Sequence, residues 1–361
     1  MKTRRGDIKK GPVPKSTAKT PNFNPVKTPP PTKRIKKAIR PDSAARTKSA
    51  SSAAKNSLAS STVKISSASS ATTTSSASSV LLDLGPLISG VVVKRPSATI
   101  RSPYVADVRL PDGSIALAHA PALDVGGLCA PGCKVLLKPR PPGGKTSHSI
   151  ELVYCIGSES GPSGEVLVGA HPRLGEQLSK IVLERGLVEG LISEDIQGQK
   201  TLGDSRVDFV LDEVNVVEVK NVVCADYHIT TAPPKRNDNH CVVTSSVPSS
   251  SYARAGIFPW GKLGQEFEGQ KVVSERAIKH IRNLSSLLRY KKNKIKSCTI
   301  LFCLNRGDCK TMRACHEQDP VFARELEKAR NEGVEVKCFQ VEWSPEGVCS
   351  YVGAVEVERY P

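Results

Sequence analysis

Aromatic side chains are scarce in this chain. Phe, Trp and Tyr make up 4% of its 361 residues. A surface that grips bases by stacking therefore has little to build with. Tyr104 is the obvious stacking candidate in the first half of the folded sequence. Long apolar runs are also missing: no stretch of 18 or more exists, and the start lacks a hydrophobic signal-peptide core. The expectation is an intracellular protein, nuclear or cytoplasmic, with no membrane partner. Organellar import stays open, since the start has few acids and many Ser and Thr. Cysteine is absent before Cys129, and the eleven that follow are irregularly spaced. Such spacing suits reduced thiols better than a disulfide framework. Cys129-x3-Cys133 and Cys309-x5-Cys315 have no second ligand pair, so zinc is not expected.

Acidic residues are nearly missing from the first 50 positions. Asp7 and Asp42 stand there against fifteen Lys or Arg, a net +13 of the chain's +17. Residues 51–90 add +1, which leaves +3 for the other 271. The positive charge is thus a property of a tail, and a basic arm suits nucleic acid or another polyanion. The tail is Lys/Pro-rich, then a Ser/Ala/Thr tract from Ser49 to Ser79. Neither part has the apolar residues to offset chain entropy, which predicts disorder over 1–85. Lys33-Arg34-Ile35-Lys36-Lys37 reads equally as a nuclear localisation signal or a generic basic run.

Folded sequence starts near Leu81–Val91. Short strand signals follow at 91–94, 104–110, 114–119, 134–138 and 150–155, with Pro111-Asp112-Gly113 as a hairpin turn. Short strands without strong helices predict a small β-barrel over 86–160. The rhythm then changes. Helical spacing covers 171–190 and 272–290, and 319–333 has Asp319 as N-cap, Pro320 at the first position and Gly333 past the end. Strands are expected at 298–304 and 334–343. The 161–361 part is therefore an α/β domain, and 225–270 reads as an irregular insertion.

The most unusual stretch is Ser205–Val222. It reads as a Val-rich hairpin that carries Asp208 on one arm and Glu218 and Lys220 on the other. Alternation puts Glu218 and Lys220 on one face, and a loop of three or five residues sets Asp208 opposite Glu218. Two acids and a lysine on a buried strand pair are unfavourable unless something binds them. Acid, then acid-x-Lys, on adjacent strands is the PD-(D/E)xK nuclease pattern. Hard oxygens of Asp208 and Glu218 suit Mg²⁺ or Mn²⁺, and Lys220 suits holding water and steadying charge on phosphorus. Glu176 on the preceding helix is the natural fourth group. The bland alternative is an edge strand wearing a salt bridge.

Ser205-Arg206-Val207-Asp208-Phe209, then Glu218-Val219-Lys220-Asn221-Val222, then Ser274-Glu275-Arg276-Ala277-Ile278-Lys279-His280 resemble the sugar fermentation stimulation protein (SfsA) family. That family shows SRxDF, EVKSV and a TERGxKHL helix, and the likeness spans roughly residues 90–361. Upstream, Tyr104-x-Ala106-Asp107-Val108, His119-x-Pro121 and Gly126-Gly127-Leu128 also match. The resemblance implies an OB-like β-barrel followed by a nuclease-like α/β domain, α+β overall, with DNA binding and metal-dependent nuclease activity. It carries Asp208, Glu218 and Lys220 over as a catalytic core, with Arg206, Arg276, Lys279 and His280 as motif positions near nucleic acid. Three segments depart from the family: CPNTG reads Ala120-Pro121-Ala122-Leu123-Asp124, the entry to the first helix reads Ala170-His171-Pro172-Arg173-Leu174 without asparagines, and FPDAVTERG is split, with Phe258-Pro259 well upstream of Ser274-Glu275-Arg276 and no Asp after the Pro. The expected function is a Mg²⁺- or Mn²⁺-dependent nuclease acting on nucleic acid, DNA first. The alternative is a DNA-binding regulator or adaptor that does not cut. A homodimer is compatible with either.

Overall fold

The protein is described by a computed structural model. It covers residues 79–121, 126–157, 164–202, 205–232, 241–245, 247–248, 250–290 and 294–360. The disorder expected for the tail falls, up to residue 78, outside the described residues. Residues just after that belong to the fold, contrary to a tail running to residue 85. There β1 (Val80–Asp83) pairs antiparallel with a C-terminal strand, Val80 opposite Ser350. This pairing spans nearly the whole folded sequence, so no local pattern announces it.

Strands β2 (Ile88–Lys94), β3 (Val105–Arg109), β4 (Ile115–His119), β5 (Lys134–Pro139) and β6 (His148–Ile156) form a closed five-stranded barrel. β2 pairs with β3 and β5, β3 with β4, β5 with β6, and a parallel β4–β6 contact closes the ring. Closure leaves none of these five strands an open edge within the ring. Gly90 is where strands cross tightly, since a Cβ there would sit 2.6 Å from Val108 Cγ1. The hairpin turn at Pro111-Asp112-Gly113 is present, with Gly113 at φ 85°. β7 (Glu165–Gly169) pairs with β6, so the barrel's sheet continues past residue 160. Val92, Val108, Leu137, Ile150 and Val153 fill the interior.

Next come α1 (Arg173–Glu184), β8 (Ile196–Leu202), β9 (Ser205–Leu211) and β10 (Asn215–Val222). The stretch expected to be an irregular insertion holds short strands instead. They are β11 (Cys224–Ala225), β12 (Tyr227–His228), β13 (Thr244–Ser245), β14 (Ala255–Phe258), β15 (Gln265–Phe267) and β16 (Gln270–Val272). Pieces of two to four residues are too short to show a period. The chain ends with α2 (Glu275–Arg289), β17 (Ser297–Leu304), β18 (Thr311–Ala314), α3 (Pro320–Asn331), β19 (Glu335–Trp343), β20 (Val348–Ala354) and β21 (Glu356–Val357).

The main sheet runs β1-β20-β19-β17-β10-β9-β8, with β10, β17 and β19 parallel at its centre. Both faces are covered, which explains why Cys298–Leu304 is apolar except for Thr299. Ile300, Phe302 and Leu304 face a cluster with Ile278 and Ile281 of α2 and Phe322 and Leu326 of α3. Leu301 and Cys303 face Leu174, Leu178 and Val182 of α1. Asp319 caps α3 by accepting from Phe322 N at 2.9 Å, and its second oxygen accepts from Val273 N at 2.8 Å. One carboxylate thus fixes both the start of α3 and the approach to α2. Among the described residues, no helix is long and apolar enough to cross a membrane.

Barrel and sheet meet at a polar knot. Asn305 accepts from Trp343 Nε1 at 2.6 Å and donates to Asn221 Oδ1 at 3.0 Å. Its carbonyl accepts from Gly169 N at the end of β7. Both glycines at this junction are required by space: a Cβ on Gly169 would lie 2.3 Å from Asn305 Oδ1, and one on Gly175 of α1 2.7 Å from Asn221 Cβ. α1 is therefore pressed against β10 while its N-terminus reaches the barrel.

Candidate active site

The hairpin of β9 and β10 turns through three residues, Asp212, Glu213 and Val214. Leu211 lies opposite Asn215, and Phe209 opposite Val217. The backbone ladder ends at that pair, with Asp208 next along β9 and Glu218 next along β10. The two strands are held there by a side chain as well, since Asp208 Oδ2 accepts from Val219 N at 2.7 Å. Val217 packs on the α1 side, whereas Val216 and Val222 pack with α2 and α3. Alternation therefore turns Glu218 and Lys220 towards α2, which supplies His280.

Glu218 is the hub. It is buried, and its Oε1 is bonded to both Lys220 Nζ and His280 Nδ1. Arg276 Nε donates to His280 Nε2 at 3.2 Å, so the ring proton belongs on Nδ1, where Glu218 accepts it. Lys220 Nζ also donates to Val219 O at 3.2 Å. Burial pushes the Glu218 carboxyl up, but the His280 bond and the Lys220 charge outweigh it, and the group sits below its ordinary value. Asp208 goes the other way. Burial raises it first, then the negative charge of Glu218, against the lowering effect of Val219 N–H and Lys220. Two adjacent carboxyls are thus pushed apart in acidity by their surroundings.

Glu176 of α1 joins the group through a residue that the sequence pattern does not reveal. Gln199 Nε2 donates to Glu176 Oε1, and lies 3.4 Å from Asp208 Oδ1. Gln199 has φ 55°, a left-handed backbone conformation inside β8. Such a conformation is costly for a non-glycine residue, by about 1 kcal/mol or more. The amide is therefore held between two carboxylates at the expense of local strain. β8 reads IQGQKTL, with neither apolar alternation nor β-branched density to mark it.

Of the sequence-predicted residues, Glu176, Asp208, Glu218, Lys220, His280 and Arg276 come together. Lys279 does not: it is exposed and pairs with Glu275 at 2.6 Å along the helix. Arg206 is exposed on β9 two residues before Asp208. Among the described residues, no three His, Cys, Asp or Glu side chains are gathered closely enough to hold a metal ion. The donor chemistry nonetheless suits a hard divalent cation, because the carboxylates come from three elements and Asp208 is raised by burial first and then by the charge of Glu218.

Residues 271–347 match the family model described as "Sugar fermentation stimulation protein RE domain". Among curated proteins, the sugar fermentation stimulation protein homolog of Syntrophotalea carbinolica is 28% identical over 265 residues, covering 72% of this chain and 92% of that protein. The homolog from Cyanothece sp. is 27% identical over 277 residues, covering 75% and 95%. Among solved structures, Pyrococcus furiosus SfsA in complex with Ca²⁺ matches with a TM-score of 0.57 at 19% identity. That match covers 77% of this chain and 99% of the other, and shows a shared fold.

Proposed function

The chain belongs to the sugar fermentation stimulation protein (SfsA) family, and from that premise we propose that it is a nucleic-acid-binding protein with a metal-dependent phosphodiesterase site. The observation that carries this reading is the meeting of Asp208, Glu218 and Lys220 on the adjacent strands β9 and β10 of the main sheet, with Glu176 beside them. Asp208 and Glu218 would hold a divalent cation, Mg²⁺ or Mn²⁺ by the hardness of their oxygens. That cation supplies charge neutralisation and a bound water of lowered pKa. The solved SfsA complex with Ca²⁺ supports a divalent ion in this fold.

The chain's own groups do the rest. Lys220 donates to the attacking water and to the charge that grows on the non-bridging oxygens of phosphorus. His280, fixed by Arg276, holds Glu218 in place and shares its charge with Lys220. Gln199 keeps Glu176 and Asp208 side by side without letting their charges meet directly. DNA is the first substrate to try, with RNA beside it.

A second reading, a nucleic-acid-binding regulator or adaptor that does not cut, is favoured by one observation. The carboxylates are not gathered as a ready-made metal cage, and an amide stands between two of them. The test is cleavage of labelled single- and double-stranded DNA and RNA with Mg²⁺ or Mn²⁺. Lys220→Ala is expected to lose roughly a hundredfold or more in rate, and Asp208→Ala to lose activity with its metal dependence. If the parent binds nucleic acid and does not cut it, or both variants cut as fast as the parent, the adaptor reading replaces the nuclease.

A further inference from the structure

Four basic side chains face one another where the barrel meets α1. His119 ends β4, Arg140 directly follows β5, His171 precedes α1 and Arg173 opens it. The rings of His119 and His171 stand edge to face, with centroids 6.2 Å apart. Arg140 Nη1 donates to Thr146 Oγ1 at 2.7 Å, and the side chain is otherwise exposed. Arg173 Nη2 donates to Glu151, a carboxylate 1% exposed, at 2.8 Å. Glu151 is the acid that faces this group, and Arg173 already answers it. Arg140 is exposed and both rings are half-buried, with His171 Nδ1 accepting from Arg173 N at 3.3 Å, beside the positive end of a 12-residue helix.

The electrostatics report the same imbalance. Burial, and then the charges of Arg173, His119 and Arg140, push the His171 imidazole down to about 4. His119 is lowered by burial and by Arg140, with Glu151 acting the other way. An anion seated among these groups would oppose the charge contribution to both.

Position identifies the anion. Arg173 stands three residues before Glu176 on α1, and positions three apart share a helix face, separated by roughly 4.5 Å along the axis. Glu176 belongs to the proposed phosphodiesterase site. We propose that His119, Arg140, His171 and Arg173 bind a phosphodiester of the substrate strand neighbouring the one presented to Asp208 and Glu218, so that the barrel rim and α1 together set the strand's path. This rests on the nucleic-acid reading of the protein, though not on its cutting. It also gives a use to the altered helix entry Ala170-His171-Pro172-Arg173, whose imidazole and guanidinium can both donate to phosphate oxygens.

The experiment follows the His119 and His171 ring resonances of the full chain by NMR, assigned with His119→Gln and His171→Gln. Short single-stranded DNA or RNA is added with EDTA to prevent cleavage, and inorganic phosphate is the comparison ligand. Both rings are expected to shift on strand binding, with the His171 titration moving upward. Arg140→Glu should weaken strand binding roughly tenfold or more and flatten the log K against log salt slope by about one. Arg173→Lys keeps a charge opposite Glu151 and should lose less. The proposal is overturned if the rings stay still when the strand binds, or if the chain binds no strand. It is also overturned if phosphate alone shifts them and Arg140→Glu leaves strand affinity intact. A parallel cleavage assay with Mg²⁺ or Mn²⁺ in place of EDTA separates the two ideas: ring shifts in a parent that does not cut would sink the nuclease reading and keep this one.

Discussion

Asp208 carries its charge in an unfavourable place. Burial and Glu218 raise its pKa above the ordinary 3.8. Its contribution to stability is therefore complete at acid pH and is lost as pH rises through the raised value. Asp208→Asn keeps an oxygen for Val219 N–H and removes the charge. The variant should be more stable than the parent near neutral pH by about 1 kcal/mol. That advantage should vanish below the unfolded-state pKa, where the parent's carboxyl is neutral in both states. Denaturant melts across that pH range check it, and an unchanged or lower stability at neutral pH would contradict the account. Glu218 has the opposite sign: its lowered pKa contributes stability at neutral pH that is lost on acidification. At this scale the charged residues were legible in the sequence, because charge on a Val-rich strand is conspicuous. Gln199 was not, since its role depends on an unusual φ and on Glu176, a distant neighbour in the chain.

The hairpin that presents these residues is set by its turn. Asp212 and Glu213 have φ of 48° and 61°, and Val214 N donates to Leu211 O at 3.1 Å. Two successive positive φ values match the twist of a two-strand ribbon but suit glycine better than glutamate. Asp212 is fixed by Ser193 Oγ at 2.8 Å, so Glu213 is the position to change. Its exposed pair with Lys294, at 3.9 Å, contributes little. Glu213→Gly should stabilise the protein by about 0.5–1 kcal/mol, a rise in Tm of roughly 2 °C; a lower Tm would count against the strain. Helices were readable at this scale because each has a long apolar stripe and an explicit signal. Asp319, Pro320 and Gly333 bracket α3 nearly as expected, and Gly333 has φ 97°. The two- to four-residue strands between β10 and α2 had no such signal and were hidden.

Across the whole molecule, charge and chemistry occupy different parts of the chain. The first 50 residues hold +13, while the site lies in a part that is close to neutral. Removing residues 1–78, which stops short of β1, should weaken binding to long nucleic acid and reduce its salt dependence. Cleavage of short oligonucleotides should persist. Affinity measured over a salt series distinguishes this from a tail that binds nothing, whose removal would leave both slopes equal. The sequence by itself determined the local periodic features: alternation along β9 and β10, the helical stripes, the turn residues and the tail's charge. It also placed Asp208, Glu218 and Lys220 on neighbouring strands, because a three-residue loop leaves little freedom of register. Only the tertiary structure decided what lies far apart in sequence. β4 meets β6 to close the barrel, β1 returns to β20, and Asn305 ties Gly169 to Asn221 and Trp343. Those contacts depend on loop closure and shape rather than on any period in the chain. They also bring His119 and Arg140 from the barrel to His171 and Arg173 at the start of α1, a meeting that no stretch of sequence contains.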